Sequence, residues 1–108
     1  MMNIIDNRRS ANRVSAIFSV DIEGHGGNFA VDVGCGGLRL VAKEPLADDE
    51  MEFCLHLNPD TEVVLVGRPV WQQQMSANGK TMAGVTFTHG QDEARDLLRS
   101  WLASYSLN

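Results

Sequence analysis

From residue 14 to residue 88, apolar and polar side chains alternate with a period of two, interrupted at short intervals by glycine, asparagine and proline. Successive side chains of a strand point to opposite faces, so such a chain folds into short strands with one buried face and turns between them. Val14, Ala16, Phe18, Val20 and Ile22 alternate with Ser15, Ser19 and Asp21, and only Ile17 breaks step. Gly24-His25-Gly26-Gly27 reads as a turn, and Phe29, Val31 and Val33 then form a strand with Asp32 on the opposite face. After Gly34-Cys35-Gly36-Gly37, Leu38, Leu40 and Ala42 alternate with Arg39, Val41 and Lys43. Residues 44–50 form a loop. Met51, Phe53, Leu55 and Leu57 then alternate with Glu52, Cys54, His56 and Asn58, before the turn signal Asn58-Pro59-Asp60. Residues 61–71 form the longest β-branched run, apolar on both faces at Val63-Val64-Leu65-Val66, as a central strand or one meeting a helix would be. A polar segment ends in the hairpin signal Asn78-Gly79, and residues 81–88 close the set.

The period changes only once. Ala94, Leu97, Leu98, Trp101, Leu102 and Tyr105 make a helical stripe, which predicts one amphipathic helix over about 91–105. Thr88 and Gln91 have capping-box spacing, with Gly90 an alternative cap, and Asp92 and Glu93 suit the helix N-terminus. The expected fold is therefore mainly β: a small six-stranded antiparallel barrel with one C-terminal amphipathic α-helix packed across it. Burial of Leu97, Leu98, Trp101 and Leu102 contributes about 1.5–3 kcal/mol each on this reading. The division is an N-terminal arm, 1–13, and a barrel with its helix, 14–108.

The arm carries Arg8, Arg9 and Arg13 against Asp6 alone, on a chain whose net charge is −5. An acidic surface disfavours nucleic-acid polymers, and 6% aromatic residues disfavour a barrel that stacks single strands. Arginine forks beside a glycine turn suit a planar anionic ligand instead. From the residues alone, a solvated arm and a turn aspartate are the other reading. No serine, histidine and acid fall at nucleophile spacing, so no enzyme is expected. His25, His56 and His89 lie in separate segments, so no metal is expected either, and Cys54 reads as a packing residue facing the helix or a second layer. Cys35 is a small side chain in the turn. Trp71 either packs the barrel end or stacks on a base. The first residues lack the apolar core of a signal peptide and no long apolar run follows, so a cytoplasmic location is expected.

The motifs resemble those of the PilZ family, bacterial domains that bind the second messenger cyclic di-GMP. Arg9 and Arg13 fit its Arg-x-x-x-Arg motif. Asp32 and Gly37 fit the ends of its (Asp/Asn)-x-Ser-x-x-Gly motif, with Gly34 where the family has serine. Leu38-Arg39-Leu40, Gly67-Arg68-Pro69-Val70-Trp71 and Gly84-Val85-Thr86-Phe87 extend the resemblance to residues 8–103. It implies a cyclic di-GMP site of Arg8, Arg9, Arg13, Asp32, Gly34, Gly36 and Gly37, and no separate cofactor. Arg9 and Arg13 serve guanine edges or phosphates, Arg8 is a third contact or solvated, and Arg39 faces the ligand or forms a surface ion pair. Asp32 accepts hydrogen bonds from guanine, and Gly36 and Gly37 let backbone N–H groups approach. The hydroxyl missing at Gly34 costs about 0.5–1.5 kcal/mol. Two functions follow: a receptor whose arm changes conformation and alters contacts with a protein effector, or a degenerate adaptor of the same fold that binds protein alone.

Overall fold

The computed structural model describes residues 13–75 and 78–106. Among the described residues, seven strands precede a helix: β1 (Arg13–Val14), β2 (Phe18–Ile22), β3 (His25–Gly34), β4 (Gly37–Ala42), β5 (Met51–Asn58), β6 (Thr61–Gln74) and β7 (Thr81–Phe87), then α1 (Asp92–Ser106). All pairings are antiparallel. The sheet runs β1-β3-β2-β5-β6-β7-β4, and β4 also pairs with β3. Six strands thus close into the expected barrel, and β1 extends it beside the end of β3.

Turn chemistry sets the hairpins. Glu23 and Gly24 both have positive φ (51° and 81°), so β2 and β3 join through a two-residue turn tighter than the expected one at residues 24–27. Pro59 and Asp60 join β5 to β6, where the Asp60 N–H donates to Asn58 Oδ1 at 2.8 Å. β6 continues through Gln74, beyond the expected end at residue 71, because Gln72, Gln73 and Gln74 still pair with β7. The Gln72 side-chain amide exchanges two 2.8 Å bonds with the backbone of Leu46 and pins the loop after β4.

The core is drawn from the inward faces of all strands, with Val20, Leu40, Phe53, Leu55 and Leu65 at its centre. Two expected faces are corrected. On β3 the inward residues are Asn28, Ala30 and Val33, while Phe29 and Val31 face out and are only partly buried. Cys54 lies on the outward face of β5, not against the helix, and its thiol donates to Glu62 Oε2 at 2.9 Å.

Gln91 caps α1, though not by a capping box. Its C=O accepts the Arg95 N–H at 2.9 Å. Its side-chain amide docks like a strand on Val66, accepting from that residue's N–H at 2.6 Å and donating to its C=O at 3.0 Å. The helix is thereby tied to β6. Leu98 and Leu102 are buried in the core, and Trp101 meets Phe18 edge-on at 5.4 Å. Leu97, expected to be buried, is 47% exposed and lies outside the core. Leu98→Ala is expected to cost about 2–5 kcal/mol and Leu97→Ala less than about 1 kcal/mol, measured by urea denaturation.

Candidate functional site

Two β-bulges place the side chains of the site. A regular strand would put Asp32 inward with Asn28 and Ala30. Instead Ala30 pairs with Leu40 while Asp32 pairs with Arg39, so one extra residue, Val31, turns Asp32 outward. On β6, Val63, Leu65, Gly67 and Pro69 face the core, and Trp71 would follow them. The register shift between Pro69 and Trp71 inserts Val70 and turns Trp71 outward, opposite Gly84. Each bulge flips one functional side chain from core to surface.

The pairings then align a row across the barrel wall: Asp32 opposite Arg39, Arg39 opposite Gly84, and Gly84 opposite Trp71. Gly84 leaves room for an indole there. A Cβ on it would lie 2.2 Å from Trp71 Nε1, because the indole lies over this backbone. Arg13 joins from β1, where it pairs with Gly34, two residues along β3 from Asp32. These residues line an open cleft of about 460 Å³ with Gly36, Gly37, Leu38, Val70 and Val85.

Asp32 is the hub. Arg13 Nη2 lies 3.2 Å and Arg39 Nη2 3.3 Å from Asp32 Oδ2, and Arg13 Nε donates to Oδ1 at 3.3 Å. The carboxylate side chain is 14% exposed, the two arginines 43% and 48%. Exposed ion pairs of this kind contribute about 0.2–1 kcal/mol each. Their main consequence is therefore geometric: one carboxylate fixes two guanidinium planes whose outer surfaces stay open to the cleft. Anions, and the acceptor edge or face of a base, are what such an array binds.

The structure thus brings together Arg13, Asp32, Gly36 and Gly37 of the expected site. Arg8 and Arg9 lie outside the described residues. Gly34 is buried at the end of β3, paired with Arg13, and is absent from the cleft lining. None of Gly34, Gly36 and Gly37 has positive φ, so left-handed geometry is not why they are glycines. Gly37 answers to close packing, since a Cβ there would lie 2.1 Å from the Val85 carbonyl oxygen, whereas one on Gly36 meets open space. Asp32, expected to accept from guanine, already accepts from arginine. Arg39 resolves as an ion pair that also faces the cleft. Leu38, Val70, Gly84 and Val85 line the cleft but lie outside the expected site. Only Gly84, a glycine within an otherwise regular strand, signalled a close approach.

Gly37→Ala sets a Cβ against backbone and is expected to cost about 1–3 kcal/mol in thermal denaturation. Gly84→Ala meets only an indole that can move. In a Trp101→Phe background it is expected to cost less and to red-shift the remaining tryptophan emission as Trp71 is displaced.

The sequence matches the family described as PilZ domain over residues 7–104. No curated protein matches it. Among solved structures the fold is similar to that of the Bacillus subtilis inhibitor of motility (MotI/DgrA), with a TM-score of 0.71 at 12% identity, over 90% of this chain. The chain spans about half of that protein's length, 50%.

Proposed function

The chain belongs to the PilZ domain family, and from that premise we propose that it is a receptor for cyclic di-GMP, the ligand this family generally binds. One observation carries the reading: the row Asp32–Arg39–Gly84–Trp71, joined by Arg13, lies in a cleft of about 460 Å³. That volume falls in the ~300–1,000 Å³ range of small-molecule sites. The messenger offers two guanines and two phosphodiesters. Arg13 and Arg39 supply forks for phosphate oxygens or guanine O6 and N7, and the half-exposed Trp71 indole supplies a stacking face. Asp32 acts mainly through the arginines, holding both in place before ligand arrives, so that less rotamer freedom is lost on binding.

Arg8 and Arg9 complete the cation set from the arm. Closing the arm on the ligand changes the surface offered to a protein effector. This binding and contact role, and not catalysis, is the activity we assign, in the cytoplasm. No helix among the described residues is long and apolar enough to cross a membrane.

The degenerate-adaptor reading is favoured by Gly34 in place of serine and by the arginines already occupying Asp32. Calorimetric titration with cyclic di-GMP separates the two. A receptor gives saturable binding, weakened about tenfold or more by Arg13→Ala and by Arg39→Ala, since a charge-assisted bond contributes about 1.5–3 kcal/mol. Gly34→Ser is expected to tighten it up to about tenfold. No heat and no thermal shift at high ligand concentration overturns the receptor and leaves the adaptor.

A further inference from the structure

On the barrel wall formed by β2, β5 and β6, register groups four residues with metal-binding side chains. Asp21 on β2 pairs directly with Cys54 on β5. His56 lies two residues along the same face of β5 and pairs directly with Glu62 on β6. The diagonals close the square: His56 Nε2 is 3.0 Å from Asp21 Oδ2, and Cys54 Sγ is 2.9 Å from Glu62 Oε2. The ligand atoms of Asp21, Cys54 and His56 all lie within 4.8 Å of one another. All three are partly accessible, and none of the four residues lines the cyclic di-GMP cleft.

We propose that Asp21, Cys54 and His56, with Glu62 as the fourth donor, form a divalent transition-metal site of the Zn²⁺ type. Sulfur, imidazole nitrogen and carboxylate oxygen together make a donor set that zinc and cobalt accept and that magnesium and calcium do not favour. Bonds of about 2.0–2.3 Å require the Asp21–His56 and Cys54–Glu62 pairs, each already in contact, to close on a common centre. The local field favours a cation. The carboxylates of Asp21, Glu52 and Glu62 place negative charge around the Cys54 thiol. Metal binding replaces that S–H bond with a metal–sulfur bond and releases the proton to solvent. Among the described residues, no lysine or arginine forms an ion pair with Asp21 or Glu62. A bound ion would join three neighbouring strands on a wall apart from the cleft, so the site does not depend on the receptor reading.

Titrating the reduced, chelator-stripped full chain with Co²⁺ and following absorbance tests this. The expected result is one Co²⁺ per chain with a thiolate charge-transfer band that one equivalent of Zn²⁺ abolishes. Cys54→Ser is expected to lose the band and Cys35→Ser to keep it. His56→Ala is expected to weaken binding about tenfold or more, as loss of even an outer partner does in established sites. No band in several-fold excess of Co²⁺, or a band that survives Cys54→Ser with circular dichroism unchanged, overturns the proposal.

Discussion

One pairing closes this barrel, that of β3 with β4. Without it the sheet would have two open edges, each exposing a row of unpaired backbone groups. Closure makes β4 a shared wall, bonded to β3 on one side and β7 on the other. The β4–β7 seam brings Gly37 against the Val85 carbonyl, an approach no side chain permits. The cleft follows from this closure, because its row of residues crosses both of β4's seams. Arg39 can stand between Asp32 and Gly84 only because β4 pairs both ways. Trp71 can overlie Gly84 only because the next strand, β6, is bonded to β7.

Alternation, turn residues and the single helical stripe made the fold class legible in the sequence. Each is a local signal that survives without tertiary context. What escaped was parity. The residues Phe29, Val31 and Val33 look like one apolar face, yet Phe29 and Val31 point outward because a bulge precedes Asp32. A bulge leaves no mark in a hydrophobic pattern when the inserted residue is itself apolar, as Val31 and Val70 are. Asp32 was placed correctly on the outer face, but by a regular alternation the strand does not follow. Leu97 shows the same limit on the helix. It sits at the margin of the apolar stripe, and the packing of Leu98, Leu102 and Trp101 with the tether of Gln91 to Val66 decides which margin turns to solvent.

The candidate site was half legible. Arg13, Asp32, Gly36 and Gly37 belong to motifs contiguous in sequence, while Gly84 and Trp71 arrive from strands far along the chain through register alone. The same applies on the β2–β5–β6 wall, where Asp21, Cys54, His56 and Glu62 have no metal-like spacing but become neighbours once those strands pair. In a closed sheet, chemistry is read along rows perpendicular to the strands, and sequence spacing is blind to those rows. Gly34 is a further case. Its departure from the serine of the family motif is plain in the sequence, whereas its burial opposite Arg13 is not.

The role assigned to Asp32, holding Arg13 and Arg39 ready and not meeting the ligand alone, is tested most directly by a double-mutant cycle. Cyclic di-GMP affinity would be measured for the unaltered chain, Asp32→Ala, Arg39→Ala and the double variant. If Asp32 acts through the arginines, each single change weakens binding and the double variant is little worse than either, a coupling of about 1 kcal/mol or more. Losses that simply add would mean that Asp32 and Arg39 contact the ligand independently. Undiminished binding by Asp32→Ala would remove the carboxylate from the site altogether.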